Sequence, residues 1–203
     1  MNFKFYDLLA FLVPGIIILW VLLDFAGIAF KNDLALPYTG AAFVLGYLLN
    51  TLASWLEDFY YWTWGGKPSN QMLAGHDIWK VRFYHSAQAR QLLVAECPEL
   101  TNPRNEVLFA LAYRYAKGTQ NPLVDDFNVS YAFSRVVLTL MLCSAGLLLV
   151  RYHQVPATYL VLPLIVIAWL RSKQRGYYFA REVLTTYLHT KLNATAPKAE
   201  PLA

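Results

Sequence analysis

Charge is scarce in this chain. Of its 203 residues only 15% are Asp, Glu, Lys or Arg, where soluble proteins carry about 25%. Cysteine is scarcer still: Cys97 and Cys143 stand alone, with neither metal-ligand spacing nor a disulfide framework. They read as a half-buried thiol and a membrane-packing residue. The histidines are His76, His85, His153 and His189, and they make no His-x3-His or HExxH pattern. His76-Asp77 reads as a helix cap. Gly65-Gly66-Lys67 lacks both the spacing of a phosphate loop and the strand before it. No G-x-S-x-G elbow is present, and Ser54 and Ser69 have no evident base. Arg82 lies too close to His85 for the Arg-x4-His spacing of some helical ribonucleases. The carboxylate pairs Glu57-Asp58 and Asp125-Asp126 read as helix-end charges. The sequence therefore offers no catalytic residue, no cofactor site and no metal site, and enzymatic function is not expected.

Long hydrophobic runs take the place of charge. Residues of the hydrophobic class make up 57% of the chain and aromatics 16%, with six Trp and fourteen Tyr. Such aromatics anchor proteins at membrane interfaces. The central run is Leu34 to Glu57, uncharged until its last residue. A helix needs about 20 apolar residues to cross the hydrocarbon, and this run is long enough. Ala42, Gly46, Asn50 and Ser54 recur every fourth residue along it, with Ala53 and Glu57 beside them. Positions i and i+4 stack on one face, so a small, increasingly polar stripe is expected within a membrane helix. Small residues bring helix backbones together and buried amides bond across helices. The stripe is expected either to pack against protein or to line a water-filled path.

Three further runs flank it. Residues 8–30 follow MNFKFYD and are too long for a signal-peptide core, with no clear cleavage site after them. They read as a retained membrane helix, kinked at Pro14-Gly15, with Asp24 near its far end hydrated or neutralised by Lys31. The short link Lys31 to Asp33 makes the first two helices antiparallel neighbours, and Pro37 suits the first turn of the second. A third membrane helix is expected from Phe133 to Val150, entered from a helix that begins near Pro122. Ser134 and Arg135 stand at its threshold, and Ser144, Ala145 and Gly146 form a second small patch. The fourth runs from Ala157 to Leu170 and continues into a charged helix in which Phe179, Val183, Leu184 and Leu188 share one side.

The expected division is residues 1–57 for membrane helices one and two, 58–132 for a helical insert, and 133–170 for helices three and four. A helix over 171–192 and a disordered tail over 193–203 follow. Within the insert, Gly65-Gly66 breaks the chain and Ser69 or Asn70 caps the next helix. Amphipathic helices are expected from Asp77 to Pro98 and between Pro103 and Gly118. The fold class is thus an all-α membrane protein with four transmembrane helices.

Orientation follows from the cations. Of the seventeen Lys and Arg, only Lys31 and Arg151 fall in the two short loops. The positive-inside rule then puts both termini and the insert in the cytoplasm. The insert balances its cations with carboxylates, which argues against direct nucleic-acid binding. Arg171, Lys173, Arg175 and Arg181 cluster where the last helix leaves the membrane. They suit anionic lipid or an acidic cytosolic partner.

Val13-Pro14-Gly15, Gly46-Tyr47-Leu48-Leu49-Asn50, Gly66-Lys67-Pro68-Ser69, Phe127-Asn128 and Tyr131-Ala132-Phe133-Ser134-Arg135 together resemble bacterial four-pass inner-membrane proteins, some encoded among anti-phage genes. Within that group the layout is similar to the membrane subunits of Kiwa defence systems. The resemblance implies an oligomeric membrane sensor that restrains a separate, DNA-binding cytosolic effector, and it supplies no catalytic residues. The expected function is a non-enzymatic homo-oligomeric inner-membrane sensor or scaffold in contact with the bilayer and a cytosolic effector protein. The alternative is a pore-forming effector whose second helix lines a channel. A small transporter is disfavoured, because neither internal repeats nor a charged midplane site is present.

Overall fold

The structure, a computed structural model, describes residues 5–78 and 80–195. The regular secondary structure of the described residues is all helical, with no strand and only an isolated antiparallel bridge between Ile78 and Val81. In chain order the helices are α1 (Phe5–Ala26), α2 (Ala35–Trp55), α3 (Glu57–Trp64), α4 (Pro68–Leu73), α5 (Ser86–Ala95), α6 (Asn105–Gly118), α7 (Pro122–Tyr152) and α8 (Val161–Thr195). The chain forms two compact units. Unit 1 takes the described residues within Met1–Tyr60 and Tyr131–Ser172, and unit 2 takes those within Tyr61–Ser130 and Lys173–Ala203.

In unit 1, α1 and α2 lie against each other. Pro14 is accommodated inside α1, which runs unbroken as one helix. Gly27, at φ 72, ends it: the Gly27 N–H donates to the Asp24 carbonyl and the Ile28 N–H to the Leu23 carbonyl. That pair of bonds satisfies carbonyls a helix end leaves open, and the left-handed residue it needs is cheapest as glycine. Ile18 of α1, Leu49 and Ala53 of α2, and Val136 and Leu140 of α7 make the small core of this unit. Around it the surface is apolar. Trp20 is 68% exposed, Leu36 84%, Val150 70% and Ile167 61%.

By length and composition one described helix suffices to cross a membrane, α7, with a mean hydropathy of 2.1 over its most apolar window. The broken pair Asn32–Trp55 and Glu57–Leu73, interrupted at Leu56, is a second if the two pieces form one span. This is fewer than the four expected, and the reasons are local. Within α1, Ala10–Ala26 is an apolar stretch shorter than the 18 residues of a full span. In α8 the apolar turns from Val161 reach Arg171 and Lys173 within the same helix. The hydroxyls, amide and glycines of α2 lower its hydropathy. Of the α7 window, 39% is buried.

Unit 2 has a core of its own. Met72 and Leu73 of α4, Ala89 and Leu93 of α5, Leu108, Ala112 and Ala116 of α6, and Val183, Leu184 and Leu188 of α8 are all buried in one cluster with Val81 and Phe83. Burying each large aliphatic side chain contributes about 1.5–3 kcal/mol, an upper estimate because unfolded chains are already partly compact.

Three expectations about unit 2 fail locally. The helix expected from Asp77 begins only at Ser86. Asp77 Oδ1 accepts the Phe83 N–H at 3.0 Å, and Ile78 and Val81 bond each other across a tight turn with Lys80 at φ 70. Val81 and Phe83 then point inward while Arg82 and Tyr84 are exposed, a period of two that no helix can give. The cap of α4 is Lys67, with Pro68 in the first turn, not Ser69 or Asn70. The last helix continues through Asn193 to Thr195; the remainder of the tail expected to be disordered, 196–203, lies outside the described residues.

Candidate functional site

The α1–α2 contact is backbone on backbone. A Cβ added to Gly15 would collide with the carbonyl of Ala42, and one on Gly46 with the carbonyl of Phe11. Both glycines are therefore required by proximity, which is how small residues bring membrane helices together. Gly15 reads in sequence as half of a kink; its spatial role is this contact.

The stripe on α2 separates into two parts. The buried face is Ala42, Gly46, Leu49 and Ala53, spaced four, three and four. Asn50 is half-buried and Ser54 exposed. A strict four-residue spacing overshoots a turn of 3.6 residues by about 40° at each step. After three steps Ser54 has moved about a third of a turn away from Ala42.

Glu57, at the start of α3, ends in a polar cluster. Its Oε2 lies 2.5 Å from Arg135 Nη1 of α7, and Tyr131 donates its hydroxyl to Oε1 at 3.1 Å. The Arg135 guanidinium lies 4.7 Å from the Tyr131 ring centre. The ion pair is in charge contact without hydrogen-bond alignment, and Arg135 Nε is buried with no hydrogen-bond partner among the described residues. One turn along each helix, Tyr60 OH and Thr139 Oγ1 are 2.8 Å apart, and Thr139 donates to the Arg135 carbonyl at 2.9 Å. A hydroxyl has one proton, so Tyr60 is the donor to Thr139. Sequence reading gives Glu57 and Arg135 separately and misses the pairing. The signal is that each charge ends or begins an apolar run, so both belong at the same boundary.

Asp24 is neutralised by neighbours other than Lys31. The hydroxyl of Tyr152 lies 2.9 Å from both its oxygens, and Arg151 Nε lies 3.8 Å away. Arg151 Nη1 also donates to the Phe25 carbonyl at 2.6 Å. The ends of α1 and α7 are thus tied together.

The basic residues of α8 are not one surface. Arg171 is exposed and Arg175 half-buried. Lys173 Nζ donates to the Trp64 carbonyl at 3.1 Å, and the Arg181 guanidinium stacks 5.0 Å from the Tyr178 ring centre. Further along, Lys191 Nζ sits 2.7 Å from Glu96 Oε1 and 4.0 Å from the Tyr115 ring centre, while Tyr187 donates to the same carboxylate at 2.9 Å. Burial pushes the Glu96 carboxyl upward, but the donors Lys191, Tyr187 and Tyr115 outweigh it and hold it below its ordinary value. Lys191 is raised, first by its hydrogen bond to Glu96, and Tyr187 is raised chiefly by burial. Among the described residues no three His, Cys, Asp or Glu side chains converge to hold a metal ion.

No protein family matches this chain, and no curated protein or solved structure does so either.

Proposed function

We propose that this chain is a four-pass, homo-oligomeric inner-membrane scaffold or sensor, with unit 1 in the bilayer and unit 2 holding a cytosolic effector protein. The observation that carries the reading is the contrast in surfaces. Unit 1 leaves Trp20, Leu36, Val150 and Ile167 exposed around a core of few residues, whereas unit 2 closes over a core of its own. Contiguous apolar surface marks a membrane or protein contact. The four passes are α1, α2, α7 and the first turns of α8, and the distribution of Lys and Arg supports cytoplasmic termini. The resemblance to Kiwa membrane subunits supplies the setting of the proposal, anti-phage defence, with a DNA-binding effector as the partner. No enzymatic step is proposed.

Two experiments test this. With Cys97 and Cys143 replaced, single cysteines at Lys31 and His153 are expected to react with an impermeant maleimide in spheroplasts, and ones at Glu99 and Arg114 only after lysis. Labelling of Glu99 in intact spheroplasts contradicts the orientation. Gentle purification from the native host is expected to bring down a stoichiometric cytosolic protein.

The exposure of Ser54 and partial exposure of Asn50 favour a second reading, an oligomeric pore lined by α2. Substantial ion conductance of the purified protein in liposomes supports the pore and sinks the pure scaffold.

A further inference from the structure

Unit 2 contains a cleft of about 690 Å3 among α4, α5 and α6, a volume typical of binding clefts. Ala74, Gly75, Ala87 and Ala95 form part of its wall, with Leu73 and Val94 beside them, so an incoming backbone can come close over the small residues. Its one cationic side chain is Arg90. Arg90 Nε makes a long contact, 3.4 Å, to Asn105 Oδ1, and Asn105 Nδ2 donates to the Asn70 carbonyl at 3.2 Å. This relay uses the Nε–H of the guanidinium and none of its four terminal N–H donors.

Three carboxylates adjoining these helices in the chain are committed elsewhere. Glu96 pairs with Lys191 and Tyr187. Glu106 lies 3.1 Å from Lys67 Nζ, and Asp77 accepts the Phe83 N–H. Among the described residues no carboxylate pairs with Arg90. A guanidinium presents its donors in a fork that matches a carboxylate. The cleft therefore joins a forked cation, without an ion-pair partner among the described residues, to a wall that is partly of small side chains.

We propose that this cleft docks an acidic segment of the effector protein, with one Asp or Glu of that segment forked onto Arg90 and its backbone close against the alanines. The assignment rests on the reading of the chain as an effector-binding scaffold. It places the contact on α5 and not on the cations of α8, of which Lys173 and Arg181 already have partners within unit 2.

The test uses the full chain in its native membrane, with photoreactive benzoylphenylalanine replacing Gln91, a residue of the cleft wall. The expected result is a crosslink that maps by mass spectrometry to a peptide of the effector containing Asp or Glu. Arg90→Glu lowers its yield at least tenfold, and Arg90→Lys, which keeps the charge and loses the fork, gives an intermediate yield. Changing the mapped carboxylate to Arg in the effector restores the crosslink to Arg90→Glu. Because Arg90 is exposed, all variants are expected to melt as the parent does, and circular dichroism checks this. The proposal is overturned by a crosslink insensitive to Arg90→Glu, by one to a peptide without carboxylates, to lipid or to nucleic acid, or by none while the effector still co-purifies. If no protein co-purifies with the parent chain, the scaffold reading itself fails and the docking site falls with it.

Discussion

Gly46 has no room for a methyl group, and that fact ties one residue to the packing of two helices. Its missing Cβ is replaced by the Phe11 carbonyl, as that of Gly15 is by the Ala42 carbonyl. Gly46→Ala requires the backbones to part, and overpacking of this kind costs about 1–3 kcal/mol. A lowered midpoint of thermal unfolding in detergent is expected; an unchanged midpoint would show that the helices are not this close. Arg135 is the other residue with a sharp consequence. Removing one member of a largely buried ion pair costs about 3–5 kcal/mol, because the charge left behind is uncompensated. Arg135→Met is therefore expected to destabilise strongly, and adding Glu57→Gln to recover part of the loss. A double-mutant cycle with no coupling between the two would dispose of the pairing. The place of Gly46 in a small-residue stripe was legible in the sequence, but two partners were not: Gly15 follows a proline and so suggests a kink, and Glu57 lies 78 positions from Arg135, a separation over which no spacing rule operates.

In α2 the repeat seen in the sequence and the face buried within unit 1 coincide only at Ala42 and Gly46. The repeat of Ala42, Gly46, Asn50 and Ser54 is present in the letters, yet a helix of 3.6 residues per turn rotates it away from its starting line. Leu49 and Ala53 take the inner positions instead. Ala53→Leu is expected to lower stability in detergent by about 1–3 kcal/mol through overpacking, and Ser54→Leu to change it by no more than about 0.5 kcal/mol. The reverse order would restore the four-residue stripe as the packing face.

At the far end of the chain, Lys191 and Tyr187 of α8 fasten onto Glu96 at the end of α5. The sign of the pH effect follows. Glu96 is lowered in the fold, so its contribution is present above the unfolded carboxylate pKa of about 4.3 and is lost as pH falls through the folded value. Lys191 is raised, so its contribution is present below about pH 10.4 and is lost as pH rises through the folded value. Glu96→Gln is expected to cost about 1–3 kcal/mol at neutral pH and to flatten the acid limb of stability against pH measured by urea titration. An acid limb of unchanged slope would mean that the carboxylate gains nothing from folding.

Over the whole molecule, two cores divide the chain. Urea acts on surface that unfolding exposes to water, so with unit 1 in the bilayer as proposed, unit 2 is expected to unfold in lipid nanodiscs while the helices of unit 1 persist. Far-UV circular dichroism is then expected to fall to a plateau that retains a large part of the helicity. A single transition to full loss would contradict separate cores.

The sequence by itself determined that the chain is helical. Its apolar runs, the proline near the start of α7, and the glycines at the ends of α1 and α3 act within a few residues of themselves, and local effects of that range can be read from spacing. It also displayed the apolar stretches whose exposed side chains in unit 1 support the membrane reading. Tertiary structure decided the rest. It turned the stretch after Asp77 into a turn with alternate residues buried, because Val81 and Phe83 reach the core of unit 2. It joined Glu57 to Arg135, Asp24 to Tyr152 and Glu96 to Lys191, and it left Arg90 without a carboxylate in its cleft. Each of these depends on which distant side chains meet, and a charge in a sequence does not specify the opposite charge that will face it.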